Sequence, residues 1–193
     1  GYQGQKGIGI SNIKKYTVRA RLAAVGAECT RPEFLQKRSG FHLPDGHEIP
    51  GGWLRVRNEG NKITTSLKIV DGSNIESQKE LCLAVDDFDK AMQFLSALGA
   101  RQKTYQESKR ELWRLDEVEI TIDEWPFLEP FVEIEGKSEQ AVRAVAEKLG
   151  FDYATAKFCA VTTLYAEKYG ISEDRINNHT PRIVFDMKNP FLR

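Results

Sequence analysis

The stretch VEITIDEWPFLEPFVEIEG, from Val118 to Gly136, decides the fold. In an extended chain alternate side chains share a face, so Glu119, Thr121 and Asp123 point one way while Ile120 and Ile122 point the other. After a turn, Glu133 and Glu135 repeat the alternation. The stretch therefore reads as two successive strands with acids on one face and aliphatic side chains on the other. A polar residue on an inward sheet face is costly unless that face lines a wet cavity, a metal site or a charged ligand. The acids thus ask for a function as well as a fold.

Basic residues elsewhere obey the same rule. Arg55 and Arg57 lie two apart in WLRVR and share a strand face, and Lys68 in SLKIV can reach the same face of a paired strand. Arg110 and Arg114 in SKRELWRL also have matching parity. The opposite residues, Leu54, Val56, Leu67, Ile69 and Trp113, form the apolar set that packs against helices. Taken one strand at a time, such a charged face is an ordinary solvated exterior. Taken over five strands, cations and carboxylates on one face point to an anion site. There Arg forks bind phosphate oxygens bidentately, and carboxylates hold a hard divalent cation that bridges them.

The rest of the chain alternates strands and helices without a linker. Asn12 to Val25 has helical spacing at Ile13, Val18, Leu22 and Val25, with Gly26 as a stop. Strands are expected over Phe34 to Leu43, Trp53 to Glu59 and Ile63 to Val70, a meander whose second turn is Asn58-Glu59-Gly60-Asn61. A strand over Lys79 to Val85 precedes a helix capped by Asp86 or Asp87 and running through Phe88, Met92, Leu95 and Leu98 to Gly99. Strands over Ser108 to Leu115, Val118 to Glu124 and Phe131 to Glu135 follow. Ser138 caps a helix over Ala141 to Leu149, an apolar helix spans Ala154 to Tyr169, and the tail HTPRIVFDMKNPF adds one edge strand. The echo between AAVGAE at 23–28 and SALGAR at 96–101 reads either as a duplicated half-barrel or as two similar helix ends.

Composition sets the class. A chain of 193 residues, 40% hydrophobic and 29% charged, has room for one large core and reads as a single domain over 1–193, with an atypical segment at 1–11 and an extension at 172–193. No apolar run approaches the ~20 residues that cross a bilayer, and GYQGQKGIGIS lacks the apolar centre of a secretory leader, so a cytoplasmic protein is expected. With 28 basic and 28 acidic residues the formal net charge is zero, and no global field favours nucleic acid or membrane. Cys29, Cys82 and Cys159 match neither a disulfide framework nor a zinc spacing and read as reduced core thiols. His42, His47 and His179 read as surface or turn residues. Trp53, Trp113 and Trp125 read as core, with stacking on a base as the alternative.

LRVR at 54–57, SLK at 66–68, KR at 109–110, the spacing from Glu119 to Asp123 and EIE at 133–135 together resemble the CYTH superfamily, the triphosphate tunnel metalloenzymes. The class IV adenylyl cyclase-like and thiamine triphosphatase-like branches match best in layout. The resemblance implies an α+β fold in which a closed antiparallel β-tunnel is surrounded by helices. It implies a nucleoside triphosphate or inorganic triphosphate as ligand and Mg²⁺ or Mn²⁺ as cofactor. It assigns Arg55, Arg57, Lys68 and Arg110 to the phosphates and to catalysis, Arg114 and Lys157 as further phosphate contacts, Asp123, Glu133 and Glu135 to the metal, and Glu119 to the tunnel lining and catalysis. A homodimer is common for such a fold.

One departure stands out. The family opens on an ExExK-like strand whose glutamates are principal metal ligands, and counting back places Gln5 and Gly7 where those acids belong. Neither supplies a carboxylate. Two readings follow: an enzyme, cyclase or triphosphatase, with fewer acids than its relatives, or a module that binds nucleotide or polyphosphate without efficient turnover.

Overall fold

The computed structural model describes residues 6–70, 78–156 and 160–192; Gln5, Lys157 and Cys159 lie outside the described residues. In chain order the elements are β1 (Lys6–Ile10), α1 (Lys15–Ala24), β2 (Glu28–His42), β3 (Gly52–Asn58), β4 (Ile63–Val70), β5 (Gln78–Val85), α2 (Phe88–Ala97), β6 (Arg101–Leu115), β7 (Val118–Glu124), β8 (Phe131–Gly136), α3 (Glu139–Lys148), α4 (Val161–Tyr169), α5 (Glu173–Asn178) and β9 (Arg182–Ile183). The strands form a nine-stranded sheet of order β1-β8-β7-β6-β2-β3-β4-β5, with β9 on β6. β9 pairs parallel to β6, and the ladders on either side of β3, β4, β7 and β8 are antiparallel.

The α+β class and the antiparallel sheet are as the sequence implies. Closure into a tunnel is a further step: the strand order ends on β1 and on β5, and among the described residues no ladder joins the two. A ring needs its last strand to meet its first at the right stagger, and among the described residues β5 is paired through β4 alone.

The echo between 23–28 and 96–101 has a structural counterpart. The strand order reads the same from both ends when β1-α1-β2-β3-β4 is matched with β5-α2-β6-β7-β8. Both helices end on a left-handed glycine, Gly26 at φ 78° and Gly99 at φ 97°, a conformation that costs a side-chain-bearing residue more. In both, the next alanine donates back into the last turn, Ala27 to the Leu22 carbonyl and Ala100 to the Leu95 carbonyl. Each helix then leads into a strand of 15 residues.

Contacts divide the chain into two compact units. The first comprises 1–34, 108–173 and 191–193. Its core packs α1 and α3 on the aliphatic face of β1, β6, β7 and β8, burying Val18, Leu22, Ile120, Ile122, Val132, Ile134, Val142 and Leu149. Complete burial of such a side chain contributes about 1.5–3 kcal/mol. Ser138 caps α3 by accepting from the Ala141 amide at 3.1 Å. On α1, Arg19 forks onto Glu111 at 2.8 and 2.9 Å, and Glu111 also accepts from the Trp113 indole at 2.8 Å, so this nearly buried carboxylate is paired on both oxygens.

The second unit comprises 35–107 and 174–190. Its core is smaller: Phe88 and Leu95 of α2 meet Phe41, Val56 and Ala100, with Leu54 and Met92 at the margin. Leu67 of β4 stands opposite Leu81 of β5; Leu81 and Leu83 are 70% and 67% exposed.

Several elements differ from the sequence reading. β1 was not readable from its own pattern, because KGIGI alternates isoleucine with glycine and carries no polar face; only the resemblance, with its opening strand counted to Gln5 and Gly7, called for a strand here. β2 and β6 begin well before the apolar alternation, at Glu28 and Arg101. The helix expected over Ala154 to Tyr169 is only Val161–Tyr169: a single 3₁₀ turn covers Tyr153–Thr155, and Ala156 and Ala160 are extended at ψ 143° and 162°. α5 is an additional short helix. Cys29 and Cys82 are exposed rather than core; Cys82 stands opposite Ser66 and so lies on the charged side of the sheet, not the apolar one. The three histidines are exposed as expected, and Trp113 and Trp125 are buried.

Candidate functional site

In the first unit, pairing fixes the face of every acid read from the sequence. Arg110 stands opposite Asp123 and Arg114 opposite Glu119 between β6 and β7. Between β7 and β8, Glu119 stands opposite Glu135 and Thr121 opposite Glu133. Directly opposed residues of an antiparallel pair share a face. Arg110, Arg114, Glu119, Asp123, Glu133 and Glu135 are therefore on one side, and Ile120, Ile122 and Ile134 on the other.

The hairpin that carries these acids is held from behind. Its turn contains Phe127 at φ 64°, a left-handed conformation unusual for a bulky residue. α4 fastens it: the Tyr165 hydroxyl donates to the Pro126 carbonyl at 2.7 Å, and Lys168 donates to the Phe127 carbonyl at 3.1 Å. The Tyr169 hydroxyl donates to that same carbonyl.

Within the acidic face, Arg110 is the organiser. Its Nε donates to Asp123 Oδ1 at 2.7 Å, and its guanidinium lies 3.6 Å from Glu133 Oε2. The other Asp123 oxygen accepts from the Thr121 hydroxyl at 2.8 Å. Asp123 is 1% exposed, so both oxygens of a buried carboxylate are satisfied by the protein itself. Burial alone would weaken the Arg110 proton, but Asp123, Glu133 and Glu135 outweigh it and hold the guanidinium more firmly charged. Glu133 goes the other way: burial and the neighbouring Asp123 raise its pKa to about 7, against a partial pull from Arg110.

β1 completes this face with no charge. Gly7 stands opposite Glu135 and Gly9 opposite Glu133. Gly9 as well as Gly7 thus brings no side chain to these acids; Gln5, the other position counted from the sequence, is outside the described residues. A Cβ on Gly7 would sit 3.0 Å from Glu135 Cγ, so the glutamate side chain fills the room a residue-7 side chain would need.

These residues do not fit a divalent cation as they stand. Hard cations take several oxygens at once, whereas Asp123 has both oxygens engaged and Glu133 faces a guanidinium. Among the described residues no group of three or more metal-donor side chains is clustered for a metal.

The second unit carries the basic face. Arg57 stands opposite Arg38 between β2 and β3, Gly40 opposite Arg55, and Trp53 opposite Lys68 between β3 and β4. Four cations on three adjacent strands thus share a side. Arg38 was missed by the sequence reading; its signal was its position two before Gly40, on a strand that pairs in register with WLRVR. Arg38 donates to Gln36 at 2.8 Å, Arg57 Nε lies 3.5 Å from Glu59, and Arg55 lies 3.4 Å from Glu80. The Lys68 ammonium stands 5.5 Å over the Trp53 ring.

This face is incompletely neutralised. The buried Arg55 Nε has no hydrogen-bond acceptor among the described residues. Burial, and then the neighbouring Arg57, lower the Arg55 pKa; burial, and then Arg55, lower that of Lys68. Cations made less comfortable by burial and by one another are what an arriving anion relieves.

The sequence-predicted residues therefore gather as two sets. Arg55, Arg57 and Lys68 meet on the second unit's face. Arg110 and Arg114 belong with Glu119, Asp123, Glu133 and Glu135 on the first unit's face, where Arg110 is spent on carboxylates. Lys157 is outside the described residues.

Comparison with known proteins follows this geometry. The CYTH domain family model matches residues 18–161. No curated protein matches the chain in sequence. Among solved structures, a conserved hypothetical protein of Pyrococcus furiosus is similar at TM-score 0.63 and 23% identity, over 83% of this chain and 99% of that one. A candidate adenylate cyclase of Vibrio parahaemolyticus gives 0.66 and 14% over 85% and 98%. A candidate adenylyl cyclase of Hippeastrum, described as having a dominant triphosphatase activity, gives 0.52 and 12% over 86% and 96%. At these identities the likeness speaks for the fold.

Proposed function

The chain belongs to the CYTH family, and from that premise we propose that it binds triphosphate-containing anions on the basic face formed by Arg38, Arg55, Arg57 and Lys68. The observation that carries this reading is the crowding of Arg55 by Arg57, with the buried Arg55 Nε lacking an acceptor among the described residues. Guanidinium forks match the spacing of phosphate oxygens, and each charge-assisted bond contributes about 1.5–3 kcal/mol. Closure of the sheet into a tunnel, and Arg114 and Lys157 as further phosphate contacts, belong to the same proposal, as does a cytoplasmic protein that uses no nucleic acid.

A second reading, phosphoryl transfer, is favoured by the shared face of Glu119, Asp123, Glu133 and Glu135. In a cyclase the ribose 3′-hydroxyl of ATP attacks the α-phosphorus and releases pyrophosphate; in a triphosphatase water attacks the terminal phosphorus. Either reaction rests on positioning and charge stabilisation, which the basic side chains supply. Asp123, Glu133 and Glu135 would be the ligands of Mg²⁺ or Mn²⁺ in this reading, and Asp123 would first have to release Arg110.

Thermal unfolding with millimolar tripolyphosphate or ATP tests the binding. A ligand-dependent rise in melting temperature is expected, and an unchanged transition with both ligands would rule it out. Product analysis in the same mixtures separates cyclic AMP, free phosphate and binding alone.

A further inference from the structure

Two features of this chain bear on the form in which it takes its ligand, and both are unlike a metal-built site. The first is the neutral strand β1. Gly7 and Gly9 face Glu135 and Glu133, and the Glu135 side chain already occupies the space beside Gly7. The second is Arg110. It holds Asp123 at 2.7 Å and lies 3.6 Å from Glu133, while Thr121 takes the remaining Asp123 oxygen at 2.8 Å. A cation is thus already present among the acids, and it is a side chain. Displacing it would leave a guanidinium without its buried partner, a costly exchange.

On the other unit, Arg38, Arg55, Arg57 and Lys68 share a face with Glu59 and Glu80, leaving an excess of positive charge. Such a face gains most from the anion of highest charge. A divalent ion chelated to a triphosphate removes two negative charges from it and occupies oxygens that the arginine forks would otherwise take.

We propose that this protein binds polyphosphate as the free anion, without a divalent cation, with inorganic tripolyphosphate or a longer chain preferred over a metal-chelated nucleotide. This rests on the triphosphate-binding reading above. Arg110 does for the acidic face what a metal does elsewhere, and the basic face receives the unchelated phosphates.

Isothermal titration of the full chain with inorganic tripolyphosphate, once in EDTA and once in excess Mg²⁺, tests it. The expected result is binding in EDTA at least as tight as in Mg²⁺, and about tenfold tighter if chelation removes the equivalent of one charged contact. Affinity tenfold higher in Mg²⁺ than in EDTA overturns the inference while leaving triphosphate binding intact. Absence of binding in both buffers overturns the inference together with the triphosphate reading. Paramagnetic titration of the protein with Mn²⁺ alone gives an independent check: an undiminished free-Mn²⁺ signal at micromolar protein is expected, and stoichiometric capture would overturn the proposal.

Discussion

The acidic face of the first unit and the basic face of the second come from the same device, charged residues at every other position of antiparallel strands, yet they end in opposite electrostatic states. Among the acids a guanidinium sits at the centre, and the most buried carboxylate has both oxygens bonded. Among the bases, cations crowd cations, and a buried Arg55 nitrogen lacks an acceptor. The difference teaches that alternation tells which residues share a face, while neutralisation is decided by which oppositely charged residue the register puts within reach.

Four measurements break or sharpen that contrast. The largest effect is expected from Asp123→Asn, which removes the charge that Arg110 and Thr121 are built around. Stability measured by urea unfolding should fall by about 3 kcal/mol, as for loss of one partner of a buried pair. An unchanged midpoint would mean that the acidic face is not held together by this pair.

Next comes Arg55→Ala combined with Arg57→Ala. Tripolyphosphate affinity, read by calorimetry, should drop about 100-fold, the loss of two charge-assisted contacts, while the unliganded protein stays folded. Undiminished affinity would take the anion site away from the second unit's face.

Arg38→Ala is a smaller change of the same kind. About tenfold weaker binding is expected if the face extends onto β2. No change would confine it to β3 and β4.

The smallest effect concerns Glu133→Gln. The folded-state pKa of Glu133, about 7, lies above the usual 4.5, so its contribution to stability is fully present below 4.5 and is lost as pH rises through 7. The variant should match the parent at pH 5 and melt about 2–4 °C higher at pH 8. Equal melting temperatures at both values would mean that Glu133 is not crowded by Asp123.

Much of this was legible before any coordinates. Strands β3, β4, β5, β7 and β8 were readable because each carries a clean period of two, and the helix stops at Gly26 and Gly99 because glycine alone takes those backbone angles cheaply. The pattern went silent where side chains carry no contrast. Glycines at 7 and 9 hid β1, and Pro32 with its charged neighbours hid the start of β2. Extended backbone at Ala156 and Ala160, residues with high helix propensity, is not announced by their side chains. In the site, alternation told which neighbours share a face: Arg55, Arg57 and Lys68 do, and so do Arg110, Arg114, Glu119, Asp123, Glu133 and Glu135. The pairing of Arg110 with Asp123 was not readable, because a spacing of thirteen residues becomes a 2.7 Å contact only through the β6–β7 register.

The open end of the second sheet half has a consequence for the behaviour of the protein in concentrated solution. β5 is eight residues long, is paired through β4 alone among the described residues, and turns Leu81 and Leu83 towards water. Net charge is zero, so no long-range repulsion keeps molecules apart. β5 then offers a second molecule both a backbone edge and an apolar stripe.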